Sequence, residues 1–248
     1  MITSSPMPTT AFVAGATGYT GREVVRLLRA RKLDVIAHVR PDSSQLQIWQ
    51  ARWEPMGVQV DSTAWEPEAM AETIKRVQPD LVFALLGTTQ ARARREAKRG
   101  VPKELNSYEV VDYGMTKMLM DGLSLAESRA RFVYLSSEGA SEGGNAYVAV
   151  RGRIERELAE GPLLWTVARP SFITGPDREE SRPAETIGAV VADGALGVLA
   201  LLGGRKTQER YRSTTATALA SALVHHSVHP PSVNQILRGE DLRGFGPV

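Results

Sequence analysis

Three polar side chains in the middle of the chain have types and a spacing that suit acid–base chemistry on a carbonyl group. Tyr147 and Arg151 are four positions apart in a segment that reads as a helix over residues 147–158, so they share one helix face. A cation held beside a tyrosine can lower the pKa of the phenol and make it a general acid or base. Ser137 follows an apolar strand shortly before this helix, where its hydroxyl could orient a carbonyl. Tyrosine–arginine pairs at this spacing are common, so the surrounding elements have to support the assignment.

A glycine-rich turn near the start of the chain is typical of a phosphate-binding site. Gly15, Gly18 and Gly21 lie between an apolar strand and a helix, with a spacing close to the dinucleotide fingerprint G-x-G-x-x-G. The first glycine allows a tight turn, the second lets a pyrophosphate approach the backbone, and the third lets the helix pack closely. The anion would lie on free N–H groups at the positive end of the helix. A purely structural turn is the alternative. The predicted cofactor contacts here are Gly15, Thr17, Gly18, Tyr19, Thr20 and Gly21.

Arg40 indicates which dinucleotide this turn would bind. Residues 34–39 read as the second strand, and Arg40 follows it directly. In the dinucleotide-binding fold an acid at this place holds the ribose 2′-hydroxyl, whereas an arginine accommodates a 2′-phosphate. Neither Asp34 nor Asp42 stands at the strand end, and a guanidinium matches a phosphate with two hydrogen bonds. We therefore predict NADP(H) rather than NAD(H), with Arg22 as a second candidate phosphate ligand. An exposed arginine before a turn is the alternative interpretation.

Strand and helix patterns alternate along the chain and predict the frame that holds these residues. The continuous apolar run 81–86 is typical of a strand buried on both faces of a parallel sheet, and it ends in Gly87 and Thr88. Residues 109–129 form the longest helical pattern, with Val110 and Leu123 among its inward positions. Further strands are predicted at 57–61, 131–135, 163–168 and 233–237, and further helices at 45–54, 67–77, 186–193 and 214–226. This alternation predicts an α/β fold with a doubly wound parallel sheet.

The chain is expected to be a single dinucleotide-binding domain over residues 1–248, with about 170–248 contributing a small C-terminal substrate lobe. Within that lobe, residues 175–184 are charged and contain proline, which suggests a flap over a substrate pocket. A length of 248 residues suffices for one such α/β domain with a generous core.

Composition excludes several other classes of site. The 248 residues include no cysteine, so disulfides, thiolate metal sites and a cysteine nucleophile are excluded. His225, His226 and His229 lack the H-E-x-x-H spacing and a nearby glutamate, and we predict no metal site. A net charge of +2 is too small to indicate nucleic-acid binding, and the six basic residues within 92–103 have no interleaved aromatics. They read as a solvated loop or helix face.

The expected partners are a small-molecule substrate and no nucleic acid or membrane, with the chain a monomer or homodimer. No apolar run approaches the roughly 18 residues that a membrane helix needs. Residues 1–9 lack the apolar core of a signal peptide, and we expect a cytoplasmic protein.

A set of motifs in consistent order resembles the atypical short-chain dehydrogenase/reductases. These motifs are G-A-T-G-Y-T-G, H-V-R-P, L-L-G-T-T, F-V-Y-L-S-S-E-G-A, Y-x-x-x-R and A-R-P-S-F-I-T-G-P. They are similar to the NAD(P)-binding NmrA-like group that includes the Tat-interacting oxidoreductase-like proteins. The resemblance covers about residues 11–176, and the remainder fits loosely. It implies a Rossmann fold and NADP bound at the glycine turn with Arg40 on the 2′-phosphate.

The resemblance also implies roles for residues beyond the turn. Ser137 and Tyr147 would be the catalytic hydroxyls, and the residue four positions after the tyrosine would contact the nicotinamide ribose. The remaining cofactor contacts would be Leu86, Gly87, Thr88 and Pro170, together with Tyr147 and Arg151 themselves. The family pattern is Y-x-x-x-K, whereas this chain has Arg151 in place of the lysine. Arginine keeps the positive charge but cannot give up a proton, so a proton relay through this position is lost.

Two functions are consistent with these residues. The first is an NADPH-dependent reductase of a small carbonyl compound, in which Tyr147 protonates the oxygen that Ser137 holds. The second is a non-catalytic NADP-binding redox sensor or regulatory protein. The intact serine and tyrosine favour the enzyme, whereas Arg151 and the basic segment favour the regulator.

Overall fold

A parallel sheet of seven strands forms the centre of the computed structural model, which describes residues 9–88, 90–98, 100, 102–171, 173–174, 214–229 and 233–245. The strands are β1 (Thr10–Ala14), β2 (Asp34–His38), β3 (Val58–Asp61), β4 (Leu81–Ala84), β5 (Arg131–Leu135), β6 (Leu164–Arg169) and, after the two short strands β7 (Ile173–Thr174) and β8 (Thr214–Thr215), β9 (Gln235–Arg238). They are ordered β3-β2-β1-β4-β5-β6-β9, and every neighbouring pair is parallel. The predicted doubly wound α/β fold is confirmed.

Helices cover both faces of this sheet. The α-helices among the described residues are α1 (Tyr19–Ala30), α2 (Leu46–Trp53), α3 (Pro67–Val77), α4 (Gln90–Ala97), α5 (Met115–Leu125), α6 (Ala146–Glu160) and α7 (Ala216–Val228). One apolar cluster joins α1, α2 and α7 to the first face, and another joins α3, α5 and α6 to the second. In β1, Ala11 and Val13 belong to the first cluster and Phe12 and Ala14 to the second, all with 0% exposure. Burial on both faces explains why the strands read as continuous apolar runs.

The long helix expected over residues 109–129 is divided into two parts. A π-helix spans Tyr108–Gly114, and α5 follows it directly. Leu123 is buried as predicted, but Val110 is exposed and the polar Asp112 is buried instead. The prediction for Val110 is wrong because a period of 3.6 residues was assumed, whereas the wider π-turns rotate the face that each residue presents.

The C-terminal part of the chain returns to the main sheet. β7 and β8 pair in parallel, which brings the residues before and after 175–213 together. Helix α7 then packs against α1, and β9 joins the edge of the sheet beside β6. Residues 214–229 and 233–245 therefore add a helix and a strand to the main α/β sheet structure. The predicted flap at 175–184 and helix at 186–193 lie outside the described residues, and the substrate lobe stays a prediction.

One histidine of the sheet gives the stability of the fold a testable pH dependence. His38 ends β2, is buried against Phe12 and Trp65, and has its Nε2 atom 2.8 Å from the carbonyl oxygen of Thr63. Burial lowers the pKa of this imidazole from its usual value, outweighing the contrary effects of Thr63 and Asp61. The folded protein therefore keeps His38 neutral at pH values where the unfolded chain binds a proton.

We expect this histidine to reduce stability as the pH falls below about 6.5, with a slope of up to about 1.4 kcal/mol per pH unit. Urea unfolding of the wild type and His38→Gln between about pH 7.5 and pH 5 gives the free energy of unfolding of each protein. In the difference between the two free energies, the contributions of all other titrating groups cancel. The variant should lose less free energy of unfolding on acidification. The same slope in both proteins would contradict the prediction.

Candidate functional site

An open cleft lies at the carboxyl ends of β1, β2 and β4, with about 760 Å³ of free space, part of it open to solvent. The strand order reverses between β1 and β4, and ligands of open parallel sheets bind at such switch points. The cleft brings together residues that the sequence predicted from three separate segments. Those that line it are Gly15, Thr17, Gly18, Arg40, Leu86, Gly87 and Thr88.

The glycine turn brings backbone segments closer than any side chain would allow. Gly15 has a φ of +79°, and a Cβ atom there would lie 2.4 Å from the carbonyl oxygen of Leu85. A Cβ on Gly21 would lie 2.2 Å from the carbonyl oxygen of Gly15. The turn from β1 into α1 thus packs directly on the segment after β4, and both line the cleft.

The amino end of α1 opens beside the cleft without a side-chain cap. Gly18 is the N-cap residue and makes no side-chain cap hydrogen bond, and the first turn contains no acidic residue. Both features suit an anion at a helix amino terminus. Thr20 and Gly21 are buried in this first turn and Tyr19 is half-buried, so contacts of these three residues with a cofactor stay predictions.

Arg40 provides a positive charge at the outer end of the cleft. Its Nε atom is 3.6 Å from Asp42 Oδ1, and the two side chains are 35% and 71% exposed, respectively. An ion pair this long and this exposed contributes little free energy, so it leaves the guanidinium available to an incoming phosphate.

Several residues of the cleft were not found from the sequence. Trp65 follows β3, and its indole Nε1 is buried without a hydrogen-bond partner among the described residues. Asn106 is buried in the short 3₁₀-helix Lys103–Asn106. Neither belongs to a local motif, because only the sheet topology brings them to the cleft. Among the residues that the structure describes, the lining residues that were missed are His38, Val39, Ser43, Trp65, Leu85, Asn106, Val111 and Met115.

Tyr147 and Arg151 lie on one face of α6, as their spacing predicted. Asn145 begins this helix by accepting hydrogen bonds from the N–H groups of Tyr147 and Val148, at 3.0 and 3.3 Å. The Cζ atom of Arg151 is 4.3 Å from the centroid of the Tyr147 ring, within the range of a cation–π interaction. Tyr108 contacts the same ring edge-on at a centroid distance of 5.4 Å.

The guanidinium of Arg151 is also held from its other side. Its Nη2 atom forms an ion pair with Asp112 Oδ1 at 2.9 Å, and the two side chains are 6% and 0% exposed. Its Nη1 atom donates a hydrogen bond of 3.4 Å to the Tyr134 hydroxyl. Asp112 Oδ2 accepts a hydrogen bond of 2.8 Å from the N–H of Thr88, a residue of the cleft. The buried pair therefore connects the cleft to Tyr147.

Burial and charge act in opposite directions on this pair. Burial raises the pKa of Asp112, while Arg151 and the Thr88 N–H oppose that rise. Burial lowers the pKa of Arg151. The combined effect of Tyr134, Tyr147 and Asp112 raises this pKa by more than burial lowers it, so the pKa lies above its usual value. Arg151 therefore remains a fixed cation. Its Nε atom is buried without a hydrogen-bond partner among the described residues, and its predicted contact with a ribose stays a prediction.

Ser137 and Pro170 lie in two loops that are joined to each other. The loops follow β5 and β6, and the N–H of Glu138 donates to the Pro170 carbonyl at 2.8 Å. Glu155 of α6 fixes both loops, because it accepts hydrogen bonds from Ser136 Oγ and from the guanidinium of Arg169. Ser137 Oγ is buried and has no partner within the described residues, so no hydrogen bond joins it to Tyr147 there.

These features fit a nicotinamide dinucleotide. The turn at Gly15 and Gly21 leaves no room for side chains beside an uncapped helix terminus. Arg40 supplies an accessible cation, and the hydroxyls of Thr88 and Ser137 are buried with no partner in the described part of the chain. Buried hydroxyls without partners are costly, and a bound ligand can supply the missing hydrogen bonds.

The sheet order and the cleft at its switch point define an α/β protein with the architecture of the dinucleotide-binding fold. A family model described as NAD(P)H-binding matches residues 15–191, and the chain belongs to this family. The protein named fmp52, mitochondrial, from Emericella nidulans is 30% identical over 189 residues, which cover 74% of each chain. The family supports a nicotinamide cofactor.

Two solved structures share the fold. An oxidoreductase of the short-chain dehydrogenase/reductase family from Burkholderia thailandensis has a TM-score of 0.67 and 16% identity, covering 97% of this chain and 95% of that chain. ChuY, an anaerobillin reductase from Escherichia coli O157:H7, has a TM-score of 0.60 and 16% identity, covering 92% and 95%.

The structure adds one finding that bears on location. Within the described ranges, no helix combines the length and apolar composition that spanning a bilayer requires. The fungal relatives carry the word mitochondrial in their names, and the cytoplasmic location expected from this sequence stays a prediction.

The close packing at Gly21 gives a test of how the glycine turn is built. We expect Gly21→Ala to lower the free energy of unfolding by about 1–3 kcal/mol, because its methyl group overlaps the Gly15 carbonyl. For a chain of this size, that corresponds to a decrease of several degrees in Tm, with about 2–4 °C for each kcal/mol. Gly143→Ala is the matched control, since a Cβ there meets no atom within 4 Å. Equal Tm values for the two variants would contradict the packing described.

Proposed function

We propose that this protein is an NADPH-dependent oxidoreductase that reduces a small carbonyl compound. The observation that carries the proposal is that the candidate binding residues follow one another along the carboxyl ends of the strands. An accessible Arg40 lies at the outer end of the cleft, and Gly18 at the amino end of α1 also lines it. Thr88 lines the cleft and hydrogen-bonds through its N–H to the Asp112–Arg151 pair. The family match supports the cofactor class, and Arg40 supports the phosphorylated form.

The residues of the chain have distinct tasks in this proposal. The turn at Gly15 and Gly18 binds the pyrophosphate, and Arg40 binds the 2′-phosphate. NADPH, when bound, supplies the hydride. Tyr147 donates the phenolic proton to the carbonyl oxygen, and Ser137 Oγ donates a hydrogen bond that orients it. The small-molecule substrate, the cytoplasmic location and the monomeric or homodimeric state are further parts of this proposal.

One observation favours a second candidate function, a non-catalytic NADP-binding redox sensor or regulatory protein. Arg151 replaces the lysine of the family pattern and is engaged by Asp112, so it cannot pass a proton along. Both functions require the cofactor, and only the first requires turnover. Cofactor affinity and turnover therefore have to be measured separately.

Substitution of Arg40 tests the cofactor preference. We expect the wild type to bind NADPH more tightly than NADH, and Arg40→Glu to weaken NADPH binding about 10- to 100-fold, as for the loss of a charge-assisted hydrogen bond. NADH affinity should change much less. Fluorescence titration with both cofactors gives the Kd values. Arg52→Glu, which makes the same charge change on the exposed side of α2, is the control. Equal NADH and NADPH affinities in the wild type would remove the NADP assignment.

Substitution of Tyr147 separates the two candidate functions. In a screen of aldehydes, ketones and quinones, we expect a substrate that the wild type reduces with NADPH, and Tyr147→Phe to lower kcat about 100-fold or more because the proton donor is lost. NADPH affinity should be retained. Tyr113→Phe is the control, because it also removes one tyrosine hydroxyl, which donates a hydrogen bond of 2.9 Å to Glu157. If Tyr147→Phe turns over like the wild type, Tyr147 is not the proton donor and that part of the proposal fails. Tight NADPH binding without turnover of any compound favours the regulator.

A further inference from the structure

Asp112 joins three segments of the site through one buried carboxylate. It belongs to the π-helix Tyr108–Gly114, and its side chain is fully buried. Oδ2 accepts the N–H of Thr88 from the loop after β4, and Oδ1 forms an ion pair with Arg151 of α6. The carbonyl oxygen of Asp112 in turn accepts a hydrogen bond of 2.7 Å from Thr116 Oγ1 at the start of α5.

The ion pair lies directly against the loop that lines the cleft. A Cβ atom built on Gly87 would lie 3.4 Å from Arg151 Nη2 and 3.5 Å from Asp112 Oδ1. The loop backbone therefore rests on the pair, with the Thr88 N–H as its polar attachment. On the opposite side, the guanidinium contacts the Tyr147 ring. A displacement of Asp112 would act on the loop directly and on Tyr147 through Arg151.

We infer that Asp112 is a positioning residue for cofactor binding: its carboxylate holds the Gly87–Thr88 loop in the conformation that accepts the dinucleotide. The ion pair with Arg151 opposes the rise that burial causes in the pKa of this carboxyl group. Asp112 does not line the cleft, so it acts through the Thr88 amide. This inference rests on the proposed function, because it takes the cleft to be the NADPH site.

A single substitution of Asp112 cannot test this role alone. Asp112→Asn would leave the Arg151 guanidinium buried without a counter-charge, which is strongly destabilising by itself. The comparison is therefore made in an Arg151→Met background, where no buried charge remains at position 151. In that background Asp112→Asn keeps an oxygen acceptor for the Thr88 N–H, whereas Asp112→Leu, of similar size, removes it. The two double variants differ at this one side chain, and only the asparagine offers an acceptor to the Thr88 N–H.

We expect Asp112→Leu/Arg151→Met to bind NADPH at least about fivefold more weakly than Asp112→Asn/Arg151→Met, since the Thr88 amide loses its buried acceptor. Without cofactor, amide hydrogen exchange in the peptide that contains Thr88 should be faster in the leucine variant. Circular dichroism and Tm establish that both variants fold. Asp121→Leu and Asp121→Asn, at an exposed position paired with Lys117, should bind NADPH equally well.

The outcomes separate this inference from the proposed function. Equal NADPH Kd values and equal exchange in the two double variants would overturn the positioning role, even if their Tm values differ. A wild type that binds neither NADPH nor NADH would overturn the proposed function, and the cofactor role of Asp112 with it. If the methionine background does not fold, the same pair is compared in an Arg151→Gln background, where the same two results decide.

Discussion

The buried ion pair between Asp112 and Arg151 is the constraint to which the surrounding site conforms. Two charged groups removed from water are tolerated only when they are paired and further hydrogen-bonded, and here each partner has additional contacts. Asp112 accepts a hydrogen bond from the Thr88 amide. Arg151 donates a hydrogen bond to the Tyr134 hydroxyl and contacts the Tyr147 ring. The local geometry of the loop, the π-helix and the amino end of α6 is thus coupled through one electrostatic requirement.

A second, purely steric constraint acts where the turn after β1 packs on the segment after β4. The turn after β1 contacts the segment after β4 at distances that exclude a Cβ, at Gly15 against Leu85 and at Gly21 against Gly15. The segment after β4 is therefore held from both sides, by backbone packing at Leu85 and by the Asp112 carboxylate at Thr88. These two contacts fix the position of the segment that lines the cleft between β1 and β4, as a preformed binding site requires.

Much of this arrangement is local in sequence and could be predicted. The sheet follows from apolar runs, the turn from three glycines, and the Tyr147–Arg151 contact from a spacing of four residues. The contacts that were missed are long-range. Asp112 lies in a segment whose pattern suggested an ordinary helix, and its burial depends on a charge on another helix. Trp65 reaches the cleft only because β3 is placed two strands from β1. Pattern periodicity contains no information about such partners.

Arg40 and Arg151 differ in their burial and in the strength of their ion pairs. This difference explains why Arg40 suits ligand binding and Arg151 suits positioning. Arg40 is partly exposed, and its partner Asp42 is loosely held at 3.6 Å and well hydrated, so exchanging that partner for a phosphate costs little. Arg151 is buried, and separating it from Asp112 would leave two uncompensated charges in the interior. A ligand can therefore compete for Arg40 but not for Arg151. The fold accordingly places the exchangeable cation at the open end of the cleft and the fixed cation beneath the loop beside Tyr147.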